Sequence, residues 1–209
     1  RHLIPYGEAA RRIDRTARVL EVGFGSGYGA KFLSSAISDI TATDMSEQAV
    51  VYAQERYPGI RFHVASATEL PFPSESFDAV VSFQVIEHIP DDRKFLDEIR
   101  RVLKPGGMLL LTTPNRRLRL LPLQRPWNPY HVREYSDKIL HHLFKTVFAV
   151  VTIQGIHARP ELHAMERARV KQRIPIVLLK MLYRSLEPLL PLTIAKAARA
   201  RAEGSATVP

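Results

Sequence analysis

The sequence predicts an α/β protein: a doubly wound, mostly parallel sheet of six or seven strands, with a helical lid and a helical C-terminal extension. Three observations carry that expectation. Strand-like and helix-like stretches alternate through the first three quarters of the chain, the pattern of a parallel sheet covered on both faces. A glycine-rich turn, Gly23-Phe24-Gly25-Ser26-Gly27, follows the apolar run Val19-Leu20-Glu21-Val22 and opens a helix. An acidic residue, Asp44, closes the next strand, about 20 positions beyond the first glycine.

Taken in order, RHLIPYGEAARRID reads as a helix or arm before the first strand. Leu3, Ile4 and Tyr6 either pack on the sheet or, in the case of Tyr6, fold over a ligand. Tyr28 to Ile37 is expected as a helix, and Ile40 to Thr43 as the second strand. The helix SEQAVVYAQERY follows, with Ser46 as a sound N-cap. Arg61 to Ala65 makes a short third strand, and the run Phe77 to Phe83 is the strongest strand signal in the chain. Asp91 to Leu103 is amphipathic, with Phe95, Ile99, Val102 and Leu103 on its apolar stripe, and KPGG ends it. Met108 to Thr112 is the fifth strand. Residues 116–128 carry two prolines, the only tryptophan and no period; such long connections tend to be functional lids. Ser136 caps a further helix, and Val147 to Ile153 is expected as the sixth strand. The organisation expected is a core over residues 1–155, with a lid insertion at about 116–134, and a basic, partly apolar helical extension of the same domain over 156–209.

Composition narrows the function classes. The 209 residues supply one core. A hydrophobic content of 45% with a mean hydropathy of −0.11 describes a soluble globular chain. With no cysteine, neither a disulfide framework nor a thiolate metal site is possible, and no metal site is assigned from the sequence. No signal pattern opens the sequence, so the cytoplasm is the expected compartment. The net charge of +9 is unevenly spread: residues 1–115 hold 13 Lys and Arg against 15 Asp and Glu, whereas residues 116–209 hold 17 against 6. A half so basic suits RNA, anionic lipid or an acidic sugar, and equally a solvated helical surface. The greasy stretch IPIVLLKMLYRSLEPLLPL within the tail suits a membrane surface, a cap on a hydrophobic substrate, a homodimer contact, or plain packing on the sheet.

The glycine turn accommodates two kinds of nucleotide cofactor, because Gly23, Gly25 and Gly27 admit positive φ and close approach of a ligand. Glu21 separates them. A dinucleotide would bring its pyrophosphate toward the following helix, close to that carboxylate. A ligand carrying an ammonium and a sulfonium would gain from the charge instead. The dinucleotide fingerprint also wants its third glycine where this chain has Tyr28.

The residues EVGFGSG, with Asp44 at the end of ITATD and the later stretch LPFPSESFDAVVSFQVIEHI, resemble the motifs of class I S-adenosylmethionine-dependent methyltransferases. The resemblance spans roughly Arg1 to Gly155 and implies a Rossmann-like core with S-adenosyl-L-methionine as cofactor. It implies that Glu21, the three glycines and Asp44 hold the cofactor, Asp44 through the ribose hydroxyls, with Met45 against the adenine. The position of Ser66 usually carries Asp or Asn in such proteins, so adenine recognition here leans on Ser66, Ala67 and Thr68 together. Gln84, Glu87 and His88 leave the fourth strand on the edge where Glu21 and Asp44 emerge. Ser82-Phe83-Gln84-Val85 stands where N-methyltransferases carry an Asn/Asp-Pro-Pro-Tyr-like motif, which argues against amide or base-nitrogen chemistry.

Transfer to a hydroxyl needs a base, and histidine suits this near neutral pH. His131, in NPYHVREY just after the lid, has Glu134 three residues on to orient it, and His88 stands second. NPYHVREY with its following helix is similar to sequences in methyltransferases of bacterial polysaccharide and glycolipid pathways. That implies a sugar or oligosaccharide hydroxyl as acceptor, with Trp127, Tyr130 and Glu87 on the substrate side. A methyltransferase of quinones or other lipophilic molecules, an RNA methyltransferase and a non-catalytic adenosylmethionine-binding protein are the alternatives. Nucleic acid ranks lower because the arginines are not interleaved with aromatics.

Overall fold

The computed structural model of the chain describes residues 3–120, 124–156 and 168. Five strands form one sheet: β1 (Arg18–Val22), β2 (Asp39–Asp44), β3 (Arg61–Val64), β4 (Phe77–Phe83) and β5 (Leu103–Thr112). Every neighbouring pair is parallel and the order is β3-β2-β1-β4-β5. The chain winds outward from β1 to β3, then crosses back to lay β4 on β1's other side. Ligands of open parallel sheets gather at such a reversal, outside the carboxyl ends of the strands.

Residues alternate across β1, so Val19 and Leu20, both fully buried, feed two different cores. On one face Val19, Ala42 and Val81 pack with Tyr6 and Ala9 of α1 (Leu3–Arg12), Ala30 and Leu33 of α2 (Tyr28–Leu33), and Val50 and Ala53 of α3 (Glu47–Arg56). On the other, Leu20, Val22 and Val80 meet Phe95, Leu96, Ile99 and Val102 of α4 (Asp92–Val102). A one-turn helix, α5 (Arg116–Arg119), follows β5. Leu140, Leu143 and Phe144 of α6 (Asp137–Lys145) then join the second core. The helix starts are set by side chains: Ser46, Asp91 and Ser136 accept from the amides of Ala49, Lys94 and Ile139.

Several expectations need correction. Among the described residues the sheet has five strands, not six or seven, because Val147 to Ile153 does not pair. Val147 and Phe148 donate their amides back to Phe144 O at 3.0 and 2.8 Å and turn their side chains into the second core. They finish α6 instead of starting a strand, and residues 150–156 run on without regular structure. Helix α2 stops at Leu33, short of Ile37, where Ser34 and Ser35 bond their hydroxyls back to Lys31 O and Phe32 O. In β5 the regular ladder is Met108–Thr112; KPGG bulges out between Leu103, opposite Phe77, and Met108, opposite Ala79.

The chain divides into two units, residues 1–120 with 125–158, and residues 121–124 with 159–209. Of the second, only Gln124 and Ala168 are among the described residues. The expected helical extension, with its lipid, substrate-cap and dimer readings, therefore lies outside them. Among the described residues no helix is long and apolar enough to cross a membrane.

Candidate functional site

Glu21 lies near the end of β1, on the face toward α1, and it is 1% exposed. Its Oε1 accepts the Tyr6 hydroxyl at 2.6 Å, while Oε2 is buried without a hydrogen-bond partner among the described residues. Burial pushes its carboxyl up to about 7, against the pull of the Tyr6 hydrogen bond and with the Asp44 charge adding to the rise. Burial and the Glu21 carboxylate push the Tyr6 hydroxyl upward as well. Tyr6, expected either over a ligand or on the sheet, takes the packed position: 5% exposed, edge-on to Phe83 at 4.8 Å and to Tyr28 at 5.7 Å. The core thus fixes its ring, while its hydroxyl is held by Glu21.

Gly29, which the sequence did not single out, makes that position possible. A Cβ there would stand 2.1 Å from the Tyr6 ring. In the turn above, Gly25 takes φ +59°, a Cβ on it would meet nothing within 4 Å, and its amide donates to Asp44 Oδ2 at 2.9 Å. Ser46 N donates to the other oxygen of Asp44 at 3.0 Å. The carboxylate thus ties the end of β2 to the glycine turn, beside open space. Gly23 and Gly27 flank it, the former donating to Thr43 O at 2.7 Å.

Along the same edge, Met45 is 81% exposed, an apolar side chain open to solvent. Ser66 and Thr68 pair their hydroxyls at 2.9 Å, and Ala67 leans on the second core. Gln84, just past β4, sits at φ +61° and reaches β5, its amide on Thr112 O at 2.8 Å and its side chain on Thr112 Oγ1 at 3.2 Å.

A second cluster forms beyond β4, on the short 3-10 turn Ile86–His88. Glu87 is fully buried; Oε2 accepts the Thr113 hydroxyl at 2.9 Å and Oε1 has no hydrogen-bond partner among the described residues. Burial pushes its carboxyl up, opposed by the Thr113 hydroxyl and by His88 and His131. The Glu87 carbonyl accepts the amide of Val132 at 2.8 Å, which fastens the NPYHVREY segment alongside. His131 and His88 are thereby brought together, rings edge-on at 4.7 Å. His131 Nδ1 meets Glu134 Oε1 at 3.0 Å, although the segment is a turn and not a helix, and Arg119 stands 3.7 Å from the same oxygen. His88 Nδ1 bonds the Tyr130 carbonyl at 2.9 Å. Tyr130 itself is 78% exposed, whereas Trp127 carries the Arg119 guanidinium 5.9 Å over its ring. Thr113 and Arg119 were missed in the sequence; the strand-end position of Thr113 in TTPN was the available signal.

A glycine turn between two acid-tipped parallel strands at the sheet's reversal defines a class of protein, and residues 20–111 match the family described as a methyltransferase domain. The chain thus resembles the class I S-adenosylmethionine-dependent methyltransferases, and S-adenosylmethionine is the cofactor that this likeness implies. It is similar to a probable S-adenosylmethionine-dependent methyltransferase of Mycobacterium tuberculosis, 39% identical over 168 residues, which are 79% of this chain and 61% of that protein. Fatty-acid O-methyltransferase of Mycolicibacterium smegmatis is 38% identical over 111 residues, 51% of this chain and 40% of that protein. Among solved structures, the YcgJ protein of Bacillus subtilis aligns with a TM-score of 0.58 at 27% identity, over 68% of this chain and 66% of that one. The chain thus spans about three fifths of the length of the mycobacterial relative.

The residues present fit that cofactor. Glu21 Oε2, buried and without a hydrogen-bond partner among the described residues, is a place for an ammonium, and the open space over Gly25 leaves room for a ligand against the backbone.

Proposed function

We propose that this chain is an O-methyltransferase acting on a hydroxyl of a sugar or sugar-containing acceptor. The observation that carries the reading is the His131–Glu134 pair, held at 3.0 Å in a segment fastened to the turn that follows β4. Glu134 fixes Nδ1 as the protonated nitrogen and leaves Nε2 to take a proton. When bound, S-adenosylmethionine supplies an electrophilic methyl group on a sulfonium.

The chain's own residues divide the remaining work. Glu21 receives the ammonium; Asp44 trades its amide partners for ribose hydroxyls; Met45 covers the adenine, with Ser66, Ala67 and Thr68 around its edge and Gln84 closing the floor. His131 removes the acceptor's proton and Glu134 stabilises the imidazolium, an arrangement worth about 10²- to 10⁴-fold in rate. The exposed Tyr130 ring offers a surface for a pyranose, and Trp127 contributes from behind Arg119. A lipophilic acceptor is the second reading, favoured by the similarity to the fatty-acid O-methyltransferase.

A screen with labelled methyl donor over sugars, lipid glycosides, fatty acids, quinol precursors and RNA tests the acceptor class. With the acceptor in hand, His131→Ala lowers turnover by about 10²-fold or more while adenosylhomocysteine affinity stays nearly unchanged. Turnover that survives the change rules His131 out as the base.

A further inference from the structure

We propose that Glu87, His88 and His131 bind a divalent transition-metal ion. One donor atom from each residue lies within 4.8 Å of the other two. The tautomers suit ligation. A carbonyl and a carboxylate can only accept, so His88 Nδ1–H donates to Tyr130 O at 2.9 Å and His131 Nδ1–H to Glu134 Oε1 at 3.0 Å. Each ring is left with its lone pair on Nε2. Metal-binding histidines are held this way, by a carbonyl or carboxylate behind the ring that fixes its orientation and raises its basicity.

Glu87 points to a cation independently of the histidines. It is fully buried, its Oε2 is spent on Thr113, and its Oε1 has no hydrogen-bond partner among the described residues. A carboxylate oxygen in that position costs free energy until a positive partner reaches it. Among the described residues no Lys or Arg is paired with it, and the two imidazoles stand beside it. Two nitrogen donors and one carboxylate suit Zn²⁺, Co²⁺ or Mn²⁺ better than Mg²⁺ or Ca²⁺, which favour oxygen shells.

Donor atoms around a tetrahedral ion at about 2.1 Å stand about 3.4 Å apart, so binding draws the three together by about an ångström. The two stretches that must approach are already fastened through Val132 N and Glu87 O. Three protein ligands leave a position open for water or an acceptor oxygen.

The ion's role in the reaction, though not its binding, rests on the hydroxyl-acceptor reading above. An acceptor hydroxyl at the open position becomes more acidic beside the cation and releases its proton to solvent water. In the metal-bound form His131 is a ligand, and the base role given to it above belongs to the metal-free form.

The test is a titration of the metal-free full chain with Co²⁺, followed by visible absorption, and with Zn²⁺ by calorimetry. One equivalent should bind. His88→Ala and His131→Ala should each weaken binding more than about tenfold, and Glu134→Gln by about tenfold through loss of the negative charge behind the His131 ring. His141→Ala, on α6, should leave it intact, with far-UV circular dichroism confirming that each variant is folded. Absence of saturable binding, or binding indifferent to both histidine replacements, overturns the site. If no ion binds and chelator leaves turnover unchanged while His131→Ala abolishes it, the direct-base reading stands and this one falls. If one ion binds at the three residues but no hydroxyl acceptor is methylated, the metal site stands and the acceptor reading falls.

Discussion

Glu21 carries the cofactor argument at the scale of a single residue because its position denies it water while Oε2 is left without a partner among the described residues. Its carboxyl is held up at about 7, against an ordinary 4.5, so between those values the folded chain keeps a proton that the unfolded chain releases. Stability of the cofactor-free protein therefore falls as pH rises through that window, by about 3 kcal/mol in all from this group. Melting curves from pH 5 to 7 should show this decline in the wild type and a flatter profile in Glu21→Gln; parallel profiles would remove the assignment. An ammonium beside Oε2 reverses the preference, so cofactor binding should release a proton below pH 7 and tighten as pH approaches 7. Tyr6, Tyr28 and Asp44 are the groups facing this carboxyl, and both tyrosines are pushed upward, away from the window. Glu21 and Asp44 were legible in the sequence because strand ends and glycine spacing locate them. The Tyr6 hydroxyl on Glu21, and Thr113 on Glu87, were not, because each joins residues from distant elements through packing.

Between elements, the tightest contact on the cofactor side is Tyr6 of α1 against Gly29 of α2. Helix propensity alone would favour alanine at position 29 by up to about 1 kcal/mol. The added Cβ would stand 2.1 Å from the ring, so Gly29→Ala should instead destabilise by about 1–3 kcal/mol, read as a lower urea midpoint. In a Tyr6→Ala background the same change should become neutral or stabilising; equal losses in both backgrounds would mean the contact is not the cause. The helices capped by Ser46 and Ser136 were legible because a cap is a local event. The sixth strand misled for the opposite reason: FAVVTI has strand composition, but whether it pairs depends on the room beside β5 and on the core that claims Val147 and Phe148. Likewise, His131 was legible as a candidate from its neighbour Glu134, whereas its meeting with His88 and Glu87 needs the backbone bond from Val132 to Glu87.

For the whole molecule, alternation of strand and helix was enough to give a parallel sheet with both faces covered, and the glycine turn marked the strand beside its reversal. Residues 1–115 are close to neutral in charge, and the basic excess lies in the other half. On the proposed reading, side chains of the NPYHVREY region choose the acceptor, and there composition and period say little. The central claim is that the carboxyl edge of this sheet holds a positively charged methyl donor through Glu21 and Asp44, and not the pyrophosphate of a redox dinucleotide. Calorimetric titration of the wild type and Asp44→Ala with adenosylhomocysteine, and of the wild type with NAD, tests it most directly. The account predicts binding of adenosylhomocysteine, a loss of about 10- to 150-fold for Asp44→Ala from one charge-assisted hydrogen bond, and no uptake of NAD. NAD binding in the crevice, or equal affinity of both proteins for adenosylhomocysteine, would contradict it.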